Sequence, residues 1–234
     1  MTREVALALM HEHTRSESLR KHMLSVESAM RFFAERGGED VEKWGIAGLL
    51  HDFDYEQHPD EHPLWGLDLL RNRGVDEEIL DAIAAHYPGK TGVEPERPMA
   101  RALFAVDELS GLITACVYVR PSKSVLDLEV SSVMKKFTTA NFAAGVNRDD
   151  VRRGAELLGM ELGELIDLVI NALHRDVDRR ALRGSLKGRG YQPPGLLGGG
   201  VPAGSSPRVV SSPLGGAVSS SLEFLRSLLG RSRV

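Results

Sequence analysis

The sequence predicts an all-α fold, and three observations carry that reading. Apolar residues recur at helical spacing through the first 180 positions. No stretch in that span alternates apolar and polar residues as a half-buried strand would. Capping residues and Gly or Pro terminators bracket the periodic segments.

The elements follow in order. Ser16 and Ser18 are N-cap candidates for a helix reaching Arg36, with Leu19, Met23, Val26, Met30 and Phe33 at helical spacing and Gly37-Gly38 ending it. A second helix spans 40–50, apolar at Trp44, Ala47 and Leu50, and the polar stretch 54–60 reads as a loop. The third begins near Pro63, a proline suited to a first helical turn, and ends at Gly74. Asp76 caps a fourth over 76–86, closed by Pro88-Gly89, and 89–98 is a proline-punctuated loop. The segment 99–118 is apolar on nearly every side, which predicts a helix running through the core. A turn at Arg120-Pro-Ser-Lys-Ser leads into short helices up to Ala144. Asn147 and Asp149 open another helix, and 161–180 is the last. No internal repeat is visible.

Length and composition narrow the function classes. At 234 residues the chain supports one sizeable core with an appendage. Its single cysteine, Cys116, excludes an internal disulfide. No apolar run approaches the ~20 residues needed to cross a bilayer, and the N-terminus lacks a signal-peptide pattern. A cytoplasmic protein without a membrane partner is therefore expected.

The net charge of −4 conceals a division. Residues 181–234 carry seven Arg or Lys and one acid, Glu223, whereas residues 1–180 carry 22 bases and 32 acids. The tail also holds 11 of the 24 glycines and five of the 11 prolines. We therefore divide the chain into a helical domain over 1–182 and a Gly/Pro/Ser-rich basic segment over 183–234. That segment has too little apolar surface to offset its chain entropy and is expected to be disordered. Within it, 219–229 reads as a short amphipathic helix through Leu222, Phe224, Leu225, Leu228 and Leu229.

The chemistry-bearing residues are histidines placed beside acids. His51-Asp52 closes the apolar helix Trp44-Gly-Ile-Ala-Gly-Leu-Leu-His-Asp. Adjacent helical residues point roughly 100° apart, so both reach one site only at the helix end or if Asp52 bridges two ions. Asp107 lies in the middle of the most apolar helix, where a buried carboxylate must be paired, hydrogen-bonded or metal-bound. Taken alone, Asp107 reads equally as a salt-bridged acid, and His22, on a row with Met23 and Val26, as a satisfied core histidine. Together the residues come from three helices, which is how helical bundles build metal sites.

The order His…His-Asp…Asp, at His22, His51-Asp52 and Asp107, resembles the HD-domain superfamily of metal-dependent hydrolases. The flanks His51-Asp-Phe-Asp-Tyr-Glu and Asp60-Glu-His-Pro-Leu-Trp-Gly are similar to the HDIG-type branch, with Phe53-Asp54 in place of Ile-Gly. The stretches Phe104-Ala-Val-Asp-Glu-Leu-Ser-Gly-Leu-Ile, Arg120-Pro-Ser-Lys-Ser and Phe142-Ala-Ala-Gly-Val-Asn-Arg resemble a bacterial and archaeal subgroup of hydrolases. The resemblance covers roughly residues 1–178 and implies a helical bundle with a metal site in its core.

It further implies two more histidine ligands, at His62 and His86, with His58 a competitor for His62. His22, His51 and Asp107 would bind a first ion, His62 and His86 a second, and Asp52 would bridge. Such a mixed nitrogen and oxygen set suits two divalent transition metals, Fe, Mn, Co, Ni or Zn, rather than Ca. Arg120 and Lys123 are expected to fold over the site and bind phosphate, Arg by a bidentate grip and Lys as a point charge. Arg20 and Lys21 are weaker candidates. Asp54 is read either as orienting a ligand histidine or as a general acid. His11, His13 and His174 are taken as surface residues.

The expected function is metal-dependent phosphohydrolysis of a nucleotide or another small phosphorylated metabolite through metal-activated water. Nucleic acid is not expected as substrate, because the domain is acidic. Two alternatives stay open at this level: a diiron oxygenase using the same six ligands, and a non-catalytic regulatory module, against which the completeness of the ligand set argues.

Overall fold

The computed structural model describes residues 1–177, and every regular element among them is an α-helix, in agreement with the sequence. The expected boundary at 182/183, the basic segment and its 219–229 helix lie outside the described residues.

The first helix, α1 (Arg3–His13), is not expected from the sequence pattern. Its buried face is only Ala6, Leu9 and Met10, a narrow stripe that packing rather than local pattern makes helical. Next, α2 (Glu17–Gly37) starts at Ser16, whose hydroxyl accepts the Leu19 N–H. A short connection leads to α3 (Val41–Leu50), with the Asp40 carboxylate accepting the Glu42 and Lys43 N–H groups, so the two helices pack as neighbours. Gly48 permits that approach: a Cβ there would lie 3.0 Å from the Glu27 backbone.

After α3 the chain coils through turns to α4 (Leu64–Asn72). Pro63 is the N-cap rather than a first-turn residue, because a turn closed by His62 N–H to His58 C=O already precedes it. In α4, Leu67 and Leu70 take the core positions, and Trp65 and Leu69 are only partly buried. Asp76 caps α5 (Glu77–Ala85). The stretch expected to be loop contains a short helix, α6 (Pro88–Thr91), opened by a proline with no N–H to lose and pinned by Thr91 Oγ1 donating to the Ala84 carbonyl.

The long apolar helix α7 (Pro98–Tyr118) runs through the core as predicted and packs against α2, α3, α5, α8, α9 and α10, the last three being Val130–Phe137, Arg148–Leu157 and Leu162–Arg175. Between α8 and α9 the expected second short helix is replaced by turns, and α10 ends at Arg175 rather than continuing to 180. Trp44, Phe33 and Phe53 are among the largest fully buried side chains, each contributing roughly 1.5–3 kcal/mol by burial. No helix among the described residues is long and apolar enough to cross a membrane.

A buried carboxylate joins the first three helices. Glu27 accepts Arg3 Nε at 2.5 Å and Nη2 at 2.9 Å from α1, and Arg31 Nε at 2.9 Å on its own helix. Arg31 in turn grips Glu42 of α3 with both terminal nitrogens, at 2.6 and 2.9 Å. The junction between α1 and α2 is tied to the segment after Asp52: Thr14 Oγ1 donates to the Phe53 carbonyl, and Glu56 accepts the Arg15 and Ser16 N–H groups.

Candidate metal centre

Six side chains from separate parts of the chain converge in the core. His22 comes from α2, His51 is the C-cap of α3 with Asp52 next to it, His62 precedes α4, His86 is the C-cap of α5, and Asp107 lies mid-way along α7. They form two groups, His22, His51, Asp52 and Asp107, and Asp52, His62 and His86, with the ligand atoms of each group within 4.8 Å of one another. Because α3 stops at Leu50, His51 and Asp52 sit at the axis end, where adjacent residues reach a common point.

Asp52 is shared by its two oxygens. Oδ2 lies 3.6 Å from His22 Nε2 and 3.4 Å from His51 Nε2, while Oδ1 lies 3.3 Å from His62 Nε2 and 3.6 Å from His86 Nε2. Asp107 Oδ1 closes the first group at 3.0 Å from His22 and 3.3 Å from His51.

Hydrogen bonds behind the rings decide the tautomers. His51 Nδ1 meets the Gly48 carbonyl at 2.8 Å, His86 Nδ1 meets the Ile83 carbonyl, and His62 Nδ1 meets Asp54 Oδ1 at 2.7 Å. Each partner only accepts, so each Nδ1 carries the proton and each Nε2 presents a lone pair to the centre. Lone pairs then face lone pairs at 3.2 Å, between His62 and His86, and carboxylate oxygens stand beside them. That convergence of acceptors is repulsive without a cation. Ligands about 2.1 Å from one ion stand roughly 3.0–3.4 Å apart, and the separations here fall in or just beyond that range. The donor set fits divalent transition metals, and the C-terminal ends of α3 and α5 add negative potential that favours a cation.

Without an ion, the two carboxylates favour a second proton on His51 in the place a cation would take. Burial works against the charged form of His51, but the Asp52 and Asp107 carboxylates outweigh it and hold the ring well above the usual histidine range. Burial likewise opposes ionisation of Asp52 and Asp107, yet the surrounding histidines hold both well below the usual carboxylate range. Burial, then Asp107, push the Glu108 carboxyl up to about 7.

The centre opens on a cavity of about 840 Å³. His51 is fully buried behind it, whereas the side chains of His22, Asp52 and Asp107 keep 20%, 18% and 17% of their surface exposed. The sequence reading missed several residues of the wall: Tyr55, Tyr87, Phe104, Asn147 and Arg153. Tyr55 and Tyr87 were legible, since each large aromatic stands within three residues of a site histidine or aspartate and packs on His62, at 5.3 and 6.1 Å between ring centres.

Other expected site residues stand elsewhere. Asp54 is buried behind His62, where Oδ1 accepts the ring proton and Oδ2 accepts the Gly66 N–H, so it orients the imidazole and does not face the cavity. Arg120 and Lys123 do not fold over the site. Arg120 is about 20 Å along α7 from Asp107 and is bonded to Asp127 at 3.0 Å, while Lys123 is exposed and lines neither cavity beside the centre. Arg20 donates to the Thr14 and His11 carbonyls and Lys21 pairs with Glu17. His58 stacks on Trp65 at 3.8 Å and takes no part in the cluster. His11 is exposed, but His13 and His174 are half-buried, the first packed on Phe53 and Trp65 and the second bonded to the Val125 carbonyl.

Comparison with known proteins agrees with this geometry. Residues 19–112 match the HD domain family. The same part is similar to Ribonuclease Y of Nitratidesulfovibrio vulgaris (33% identical over 100 residues), of Oleidesulfovibrio alaskensis (33% over 99) and of Lawsonia intracellularis (34% over 100). Each match covers 41% of this chain and 18–19% of the relative, so the chain spans less than a fifth of the length of these relatives. No solved structure matches. These relatives overturn the expectation of a small phosphorylated partner with nucleic acid excluded, since the matching region belongs to enzymes named for acting on RNA. The physical fault lay in the charge argument, which used the net charge of the whole domain, whereas binding depends on the groups that line the site, Arg153 among them.

Proposed function

With an HD domain over residues 19–112 as the premise, we propose that this protein is a metal-dependent phosphohydrolase that cleaves phosphodiester bonds of RNA. The observation that carries the reading is Asp52, whose two oxygens face two different groups of histidines and so suit a bridge between two ions.

His22, His51 and Asp107 would hold one ion and His62 and His86 the other, with Asp52 common to both. Bound divalent ions would lower the pKa of water toward ~7 and clamp the phosphoryl oxygens, a role for which the chain offers no serine or cysteine at the site. The chain's own residues supply the rest. The carbonyls of Gly48 and Ile83 and the Asp54 carboxylate hold the three Nδ1 atoms, so that Nε2 of each ring is the atom aimed at the centre. Tyr55 and Tyr87, half-exposed at the mouth, offer ring faces on which bases stack without regard to sequence. Arg153, ion-paired with Glu94 in the cavity wall, stands where a backbone phosphate enters.

The test is purification of the chain with metal analysis, followed by incubation with a labelled single-stranded oligoribonucleotide before and after chelation. Cleavage that needs a divalent metal and disappears in His51→Ala and Asp52→Ala is expected. A tightly held iron pair that consumes oxygen, with no cleavage of RNA, would overturn the reading in favour of the oxygenase.

A further inference from the structure

A second cavity, of about 550 Å³, adjoins the first between the start of α2 and the C-terminal half of α7. Leu19, Ala115 and Tyr118 line it, and His22, Tyr55 and Gly111 border both cavities. Along α7, Phe104, Asp107, Gly111, Ala115 and Tyr118 stand three or four residues apart and therefore form one stripe. Phe104 opens on the larger cavity and Ala115 and Tyr118 on the smaller, with Asp107 between them. Ala115 is about 12 Å along the axis from Asp107, within reach of a base attached to a phosphate at the centre.

We propose that this groove is the subsite for one nucleobase of the strand being cut, an inference that rests on the RNA-cleaving reading above. The scissile phosphate would then lie between the two cavities, with a nucleoside on the groove side. The chemistry selects a base over other parts of the strand. Leu19 and Ala115 form apolar walls for a flat neutral ring, and Tyr118, 45% exposed, offers a face for stacking. At the rim, the Glu56 carboxylate is held by the Arg15 and Ser16 N–H groups and repels phosphate. Thr114 also lines the groove.

Two measurements on the metal-loaded full chain decide the matter. In the first, methyl NMR follows a titration with adenosine to about 10 mM, a range suited to a single weakly held base. Ring-current shifts at the Leu19 and Ala115 methyls, with none at Leu168, which lines neither cavity, are expected, and they should vanish at Leu19 when Ala115→Leu fills the groove. In the second, the ratio of kcat/KM for an oligoribonucleotide to that for methyl p-nitrophenyl phosphate, which has no base, is compared between wild type and the Ala115→Leu and Tyr118→Ala variants. The ratio should fall roughly tenfold or more. Unmoved methyls, or a ratio that stays constant because both substrates lose equally, overturns the groove as a base subsite. A wild type that cleaves neither substrate defeats the RNA-cleaving reading instead, and the adenosine titration then decides the groove by itself.

Discussion

Asp54 stands behind His62 with Oδ1 2.7 Å from the ring Nδ1, while its second oxygen accepts the Gly66 N–H at 2.8 Å. The carboxylate is thus fixed from one side and fixes the imidazole on the other. Such outer partners set the tautomer and the basicity of a ligand histidine. Asp54→Ala is expected to weaken metal binding about 10- to 100-fold, measured by titration against a competing chelator, with the helical content unchanged. Unaltered affinity would remove Asp54 from the site.

Gly66 has no room for a side chain for the same reason. A Cβ at this position would lie 2.8 Å from Asp54 Cγ and Oδ2 and 2.9 Å from Phe53 Cε1. Gly66→Ala should therefore displace Asp54 and lower metal affinity in the same direction as Asp54→Ala. The double variant should cost little more than the worse single one, because both act through one contact. Additive losses would show that the two residues act independently.

The shared carboxylate and the separate histidines should differ in stoichiometry. His86→Ala removes a donor from one group only, whereas Asp52→Ala removes one from both. Metal analysis after dialysis is expected to find about one ion fewer per chain in His86→Ala and loss of both in Asp52→Ala. Equal losses in the two variants would contradict the bridging arrangement.

The Arg120 pair is distant from the centre and partly exposed, so it is expected to matter little. Arg120→Ala should leave cleavage of an oligoribonucleotide within about twofold and cost at most about 1 kcal/mol of stability, whereas Arg153→Ala in the cavity wall should raise KM. A large loss of activity in Arg120→Ala would return the 120–124 turn to the site.

Glu27 is the opposite case, far from the chemistry but central to stability. Its carboxylate is buried and bonded by Arg3 and Arg31. Glu27→Ala leaves two guanidinium groups without it and should destabilise the fold by about 3 kcal/mol, read from urea unfolding. A shift well under 1 kcal/mol would mean that water replaces the carboxylate.

The helix-forming segments were legible wherever an apolar stripe was wide and a cap marked its start, as at Ser16, Asp40, Asp76 and Asn147. α1 was not, because its apolar residues form one unbroken run, Val5 to Met10, with no helical period, and only Ala6, Leu9 and Met10 of it are buried. α6 was hidden because a single turn carries no periodicity at all. His22, His51-Asp52 and Asp107 were legible as a set from three helices, although Asp107 and His22 each had an ordinary core reading when taken alone.

What the sequence by itself determined is the helical class, which depends on residue type and short-range spacing, whereas the candidate ligands His62 and His86 came from the resemblance to HD-domain proteins. Only the tertiary structure decided which neighbours complete the site. Arg120 and Lys123 follow Asp107 closely in sequence, yet the rigid rise of α7 carries them away from it. The groove at Ala115 and Tyr118 and the place of Arg153 in the cavity wall owe their roles to helices packing side by side. Contacts between distant segments, unlike a helical repeat, leave no trace in local order.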